Sequence, residues 1–491
     1  MEWLYQTIGI DRLRSSEFTA PKKRLPRPRL SLTLIFTQSV PSGPSLTILR
    51  FPRMVYSLSS AVAVLFLVGV GALAASGAFQ STSRRTIPPK PIPIRSSNPK
   101  SLVITNQSCS ASACHGAADS ANGRMWTRSA TLWQTADPHS GTFSLLTQKP
   151  NRPVKVYAET MIRRLGWKTP ATEEARCLAC HSDPTSSSAR AEGVGCQTCH
   201  GPADKWLLSH TTGNNIGMVA LNDVAARAQN CAGCHIGAAK DGFPRREVDH
   251  DLIAAGHPRL TYDFAEHHRR LPKHWEEKVR TSAGVRPVSP NFELRLWLVG
   301  LAVEAQAASQ LLASRAASSA WPELAEFRCS SCHHTIPDDN RTPSTGSLRW
   351  RSSWSILTSG GRNPALKRLF EIMGERRPPS SNRIGEAAEA ASVELNQTID
   401  ALSQAPDSEL RKELFDRLGP SPLTGVDGED AVPLLQALAA DERGRRRNRP
   451  EAVTRVGDRD FEDAYDCARQ QNWGQLKDRL GIILRKLQEL E

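Results

Sequence analysis

Histidine is missing from both ends of this 491-residue chain: all thirteen histidines lie between His115 and His334. Cysteine is confined too, since ten of the eleven lie between Cys109 and Cys332 and only Cys467 stands apart. Beyond residue 338 there is no imidazole and one thiol, which excludes histidine-based metal or acid–base chemistry there. Aromatic residues are only 6% of the chain, so a core in the histidine-rich part needs some other bulky filling. Methionine is scarce, and between residues 101 and 338 only Met125, Met161 and Met218 occur. Long apolar runs are also rare. One stands out near the beginning, where no charged residue occurs from Val55 to Ser83.

The confined cysteines and histidines form a repeated pattern. Cys177-Leu-Ala-Cys180-His181, Cys196-Gln-Thr-Cys199-His200, Cys231-Ala-Gly-Cys234-His235 and Cys329-Ser-Ser-Cys332-His333 are regular Cys-x-x-Cys-His motifs. Cys109-Ser-Ala-Ser-Ala-Cys114-His115 is a stretched copy. Thiols about one helical turn apart face the same way and can form thioethers with the two vinyl groups on one porphyrin edge. The following histidine then reaches the iron. With this composition, roughly 0.007 regular copies would arise by chance. A zinc ribbon would not require a histidine directly after each pair, and a thioredoxin-type motif occurs once, beside a βαβ unit. The pattern therefore predicts about five covalently attached haem c groups. The stretched copy needs a looped-out turn to present both sulfurs, and its competing reading is a disulfide or two free thiols.

Eight histidines remain for the opposite faces of the irons. His139, His210, His250 and His257 are the leading candidates, with His274 and His334 next. His334 directly follows a motif histidine and could serve only another haem. His250 and His257, about 10 Å apart if the stretch between them is helical, suit two different haems. His267 and His268, in Glu-His-His-Arg-Arg, read as solvated surface. With methionine so scarce, most irons should be bis-histidine ligated, and such centres move electrons and leave no open position for a substrate.

Haem attachment of this kind takes place outside the cytoplasmic membrane, and the chain has the means of export. Leu58 to Ala78 is long enough, at about 20 residues, to span a bilayer, with small-residue cleavage sites at Ala72–Ala74 and Ser76–Ala78. Residues 54–79 are thus a signal peptide or a membrane anchor, the length favouring the anchor. Residues 1–53 hold nine Lys and Arg against three Asp and Glu, which orients the chain beyond residue 79 outward. That stretch reads as a long basic leader or, if Met54 is the true start, a non-native extension. Of the formal charge of +13, residues 1–53 supply +6. Five haems, with two propionates each, bring the remainder to about +2 oxidised and about −3 reduced. The basic sequence is accordingly no argument for nucleic-acid binding.

The rest of the chain is organised around these landmarks. Residues 80–100 form a Pro-rich extended linker. Residues 101–338 form the haem domain, mainly α, with a long helix expected near Phe292–Ala317. Residues 339–380 read as a linker, and residues 381–491 as a haem-free helical region. Four helices are predicted there: Glu386–Leu402, Ser408–Leu418, Ala431–Arg443 and Phe461–Leu490. A structural cap on the haem domain is the favoured role for this region. Cys467 reads as a buried or free thiol.

Gly-Val-Gly-Cys196-Gln-Thr-Cys199-His200-Gly-Pro with His210, the segment His250-Asp-Leu-Ile-Ala-Ala-Gly-His257-Pro-Arg-Leu, and Cys332-His333-His334 resemble the multihaem cytochromes of the cytochrome c-554 type. The resemblance covers residues 105–338. It implies a mostly helical domain with closely stacked haem pairs, periplasmic electron transfer, and distal ligands at His139, His210, His250 and His257. The chain departs from four-haem members by its fifth motif, its stretched first motif and its long C-terminal part. The expected function is electron conduction between periplasmic or membrane redox proteins or the quinone pool. The alternatives are an oxidoreductase acting on a small nitrogen or sulfur compound at a five-coordinate haem, and a haem-bearing interaction or sensor protein. No motif has Lys replacing the proximal histidine, a variant associated with multihaem nitrite reductases.

Overall fold

The computed structural model describes residues 104–119, 124–148, 154–183, 190–238, 245–281, 284–287, 291–319, 321–327, 333, 354–375, 379–418, 428–448, 456–470 and 472–488. The expected leader, apolar segment and Pro-rich linker, with Cys329, Cys332 and His334, lie outside these residues.

The fold is mainly α. Its first half is short helices and single turns joined by loops: α1 (Asn106–Cys109), α2 (Ser129–Ala136), α3 (Ala158–Arg164), α4 (Ala175–His181), α5 (Cys196–His200), α6 (Val224–His235), α7 (His250–Ala255) and α8 (Phe264–Arg270). Aspartate starts several of them: Asp223, Asp249 and Asp263 accept backbone N–H bonds at the heads of α6, α7 and α8. Gly256, at φ 118°, ends α7 one residue before His257. Next in the chain is a hairpin, in which β1 (Lys278–Thr281) pairs antiparallel with β2 (Gly284–Pro287). Apolar packing here is thin: one buried cluster holds Leu146, Ile162, Ala171 and Leu178, and another Ile104, Ala203 and Trp206.

The large core lies in the second half. The helix α9 (Phe292–Ala316) is buried almost all round, with Leu294, Leu298, Val299, Ala302, Val303, Ala305 and Leu312 fully enclosed. Among the described residues it is the one helix long and apolar enough to cross a membrane, yet most of it is packed inside the protein. Ala228 and Ala232 of α6 share its core, their small side chains letting a motif-bearing helix approach closely. The same core takes in α10 (Ser355–Thr358), α11 (Pro364–Met373), α12 (Ser381–Gln404), α13 (Asp407–Leu418), α14 (Gly428–Asn448), α15 (Asp458–Arg469) and α16 (Trp473–Gln488). Leu366, Leu369, Ile384, Leu395, Leu414, Leu435, Leu480 and Leu484 are fully or nearly fully buried in it.

The structure corrects the sequence reading in two places here. Residues 339–380 are not simply a linker, because α11 puts Leu366, Leu369, Ile372 and Met373 into the core at helical spacing. The helix expected over Phe461–Leu490 is two, since Asn472 opens α16 by accepting the Gln475 N–H at 3.3 Å. Cys467 is half-buried on α15, its thiol 3.9 Å from Gln475 Oε1.

Arg295 ties α9 to the C-terminal end of α12. Its guanidinium donates to the carbonyls of Leu402, Ser403 and Ala405 and to Asp407 Oδ1 at 2.7–2.9 Å. These are carbonyls that a helix end leaves without partners. Arg315, near the other end of α9, is buried between Glu247 and Glu326. It thereby anchors the segment leading to His250.

Candidate haem sites

Three regular motifs end a helix on their histidine: His181 closes α4, His200 closes α5 and His235 closes α6. Helical spacing places each cysteine pair on one side of its helix. The stretched motif solves the same problem with a turn. Cys109 ends α1, and the following loop is closed by N–H bonds from Cys114 and Gly116 to the Ala111 carbonyl at 2.8 and 3.1 Å. All nine described cysteines are free thiols, so Cys109 and Cys114 form no disulfide. Of the fifth regular motif, only His333 is described.

Each of the five motif histidines faces one other histidine across a gap of nearly constant width. Ring centres are 6.3 Å apart for His115 and His210, 6.3 Å for His181 and His257, and 6.2 Å for His200 and His274. They are 6.2 Å apart for His235 and His139, and 6.3 Å for His333 and His250. An iron held between two imidazoles fits that gap. A metal–nitrogen bond of about 2 Å on each side, with roughly 1.1 Å from nitrogen to ring centre, sets the centres about 6.2 Å apart. The planes differ in twist, from 14° and 16° for His250–His333 and His115–His210 to 61° for His200–His274 and 85° for the other two pairs.

Hydrogen bonds orient these rings. Nδ1–H donates to the carbonyls of Trp126 from His115 (2.9 Å), Thr142 from His181 (3.1 Å), Leu207 from His210 (2.6 Å) and Pro258 from His257 (2.8 Å). His139 Nδ1 donates instead to Asp137 Oδ1 at 2.8 Å. A proton held on Nδ1 leaves Nε2 with a free lone pair that could bind a metal. Burial lowers His200 and His235 to about 4 and also lowers His181, His257 and His274, which keeps those five rings neutral. Neutral imidazole is the ligating form.

The pairs are assembled by contacts distant in sequence. Asn106, three residues before Cys109, accepts the Cys196 N–H at 2.8 Å, and Gln197 bonds Ile104 O and the Ala203 N–H at 2.8 and 2.9 Å. A Cβ at Gly195 would lie 2.2 Å from the Asn106 side chain and would displace that staple. The His139 carbonyl accepts from the Val194 N–H at 3.0 Å and from Thr142 Oγ1 at 2.8 Å, locking that turn to the His200 motif. His250 is held by its N–H bond to Glu323 Oε1 at 2.9 Å, and Asp249 beside it pairs with Arg176 of the His181 motif.

The motif thiols also touch one another. Cys109 lies beside Cys196 and Cys180 beside Cys234, while Cys199 lies close to Cys231 and Cys234. The sites therefore neighbour one another in the order His115, His200, His235, His181, and the Arg176–Asp249 pair leads on to His333. Burial pushes the Cys177 and Cys231 thiols to about 11 and Cys199 to about 12, unlike the activated thiol of a redox Cys-x-x-Cys. Among the described residues, no group of three or more His, Cys, Asp or Glu side chains could hold a bare metal ion.

Residues 108–201 match the family model for cytochrome c554 and c-prime. That stretch is similar to the cytochromes of the cytochrome c-554 family. The chain is accordingly a haem c electron-transfer protein, with haem c bound covalently. The match takes in the His115, His181 and His200 motifs and stops short of His235 and His333. No curated protein and no solved structure matches the chain.

Two histidines differ from expectation. His268, read as surface, is buried and bonded through Nε2 to Glu277 Oε1 at 2.6 Å, with Arg227 also in contact. His267 lies with its ring centre 4.6 Å from that of His235, too close for an iron between them. The run of charges around them suggested one solvated face, but successive residues on a helix point about 100° apart. Asp137, Thr142 and Asn106, which orient or staple the ligand segments, carried no sequence signal beyond Asp137 preceding Pro138-His139.

Proposed function

We propose that this chain is an exported multihaem cytochrome that passes single electrons between redox partners through five covalently attached, bis-histidine haems. The observation carrying the proposal is the set of five histidine pairs with ring centres 6.2–6.3 Å apart, each containing one motif histidine. Haem c supplies one-electron chemistry without bond making. The residues that would hold it are Cys109, Cys114 and His115 with His210; Cys177, Cys180 and His181 with His257; Cys196, Cys199 and His200 with His274; Cys231, Cys234 and His235 with His139; and Cys329, Cys332 and His333 with His250. The protein's part is to fix spacing and to orient rings through Nδ1, as at His115, His139, His181, His210 and His257. The apolar clusters around the first motifs are small, and macrocycles would supply the core that these side chains do not.

In this reading, residues 101–338 face the periplasm or cell exterior, tethered or released according to the fate of residues 54–79. The partners are periplasmic or membrane redox proteins or the quinone pool. With every motif histidine paired, no iron is left an open position, which disfavours the oxidoreductase alternative. The test is a haem-to-protein ratio on the purified natural protein, combined with carbon monoxide binding to the reduced form. Five haems per chain and no carbon monoxide complex are expected. Fewer than four haems, or one haem that binds the gas stoichiometrically, would overturn the proposal.

A further inference from the structure

Of the ligand histidines whose Nδ1 bond is seen, His139 alone donates to a carboxylate. Asp137 Oδ1 accepts from His139 Nδ1 at 2.8 Å and from the His139 backbone N–H at 2.9 Å. Its side chain is only 9% exposed, so water screens its charge weakly. A carboxylate on the far side of a ligating imidazole makes that imidazole a stronger electron donor and favours the more positive, oxidised iron.

The His181–His257 pair provides an internal comparison. Its ring planes cross at 85°, as do those of His235 and His139, so ligand twist is matched. Both of its Nδ1 atoms donate to backbone carbonyls, Thr142 O and Pro258 O. The cationic Arg246 lies near both sites, acting on the Cys180 thiol and standing beside Gly233 of the His235 motif. Arg164, bonded to the Ala255 carbonyl at 2.9 Å, adds a cation near His257. Behind their distal rings the two sites thus differ in charge, a carboxylate standing behind His139 and a neutral carbonyl behind His257.

We propose that Asp137 is a potential-setting and positioning residue: its carboxylate lowers the reduction potential of the haem held by His235 and His139 below that of the haem held by His181 and His257. The proposal rests on the reading of these residues as iron ligands. One electron enters each site on reduction and no bond is made or broken, while the proton stays on His139 Nδ1. The charge of Asp137 also reaches His274 and Cys199, so the His200–His274 site feels it to a lesser degree.

The experiment is a spectroelectrochemical titration of the holoprotein and of Asp137→Asn, with haem counts and paramagnetic resonance spectra of both. Asp137→Asn should keep its haems and low-spin signals while one low-potential component moves upward and a second rises less. A titration curve superimposable on the natural protein's, with haems retained, overturns the proposal. Absence of strongly anisotropic low-spin signals from the natural protein would instead sink the ligand pairing beneath it. Should the Asn variant fail to mature, Asp137→Glu decides: its longer arm keeps the charge but disturbs the 2.8 Å bond, so the same component should rise by a smaller step. An unmoved component in that variant also refutes the role.

Discussion

Removing His210 tests the proposed pairing at its most legible point. The His115 and His210 rings are 16° from parallel, and His250 and His333 differ by 14°. Near-parallel imidazoles split the iron dπ orbitals and produce a rhombic low-spin spectrum, whereas the two pairs crossed at 85° leave those orbitals nearly degenerate and produce a strongly anisotropic one. The oxidised natural protein should therefore show two rhombic and two strongly anisotropic haems, with the 61° His200–His274 pair between them. His210→Ala takes the sixth ligand from one of the two near-parallel sites. Half of the rhombic intensity, one iron in five, should be lost and appear as a high-spin signal. Added imidazole should fill the vacated position and restore the low-spin form. His257→Ala should instead remove one strongly anisotropic signal and leave the rhombic pair intact. Quantitative electron paramagnetic resonance at low temperature is the assay. Unchanged rhombic intensity in His210→Ala, or the same signal lost in both variants, would refute the assignment.

Arg295→Ala leaves the Leu402, Ser403 and Ala405 carbonyls without their cation, and should cost about 3 kcal/mol or more in thermal or denaturant unfolding while the haem spectrum is unchanged. Gly300→Ala puts a Cβ 2.7 Å from Phe264 Cβ, where α9 and α8 meet, and should destabilise by about 1–3 kcal/mol in the same assay. Asp263, half-buried at the head of α8 with its Oδ2 enclosed, is raised from 3.8 to about 6 by desolvation of its carboxyl. Its contribution is fully present below pH 3.8 and is lost as pH rises to about 6. Asparagine keeps the cap to the Glu266 N–H, so Asp263→Asn should abolish that slope and gain about 3 kcal/mol at pH 7. A variant no more stable than the natural protein at pH 7 would contradict this.

Much of the helical pattern was legible because it depends on local periodicity. The long helix expected near Phe292–Ala317 is Phe292–Ala316, and Asp407–Leu418 differs by one residue from its expected start. The helix Pro364–Met373 was hidden by the Ser, Arg and Pro residues around it, although Leu366, Leu369, Ile372 and Met373 keep helical spacing. The break at residues 470–472 was missed because an apolar stripe resumes across it, and only Asn472 marks the new cap. At the sites, His274 stood level with His334 in sequence, and its ring opposite His200 depends on a fold that brings together residues 74 positions apart. His268 was misread because its neighbours' charge says nothing about where a helix turns its own side chain.

The sequence by itself determined the cofactor chemistry, because thioether attachment and the proximal bond use residues adjacent in the chain, and adjacency needs no fold. It also left eight histidines as candidates for the distal position. Only the tertiary structure decided which ring faces which, how far each pair is twisted, and that Asp137 stands behind His139. Those are relations between segments as far apart as His139 and His235, set by staples such as Asn106 to Cys196 and by a core built largely from α9 and the C-terminal helices. Spacing along a chain cannot specify such relations, since packing of the whole molecule sets them.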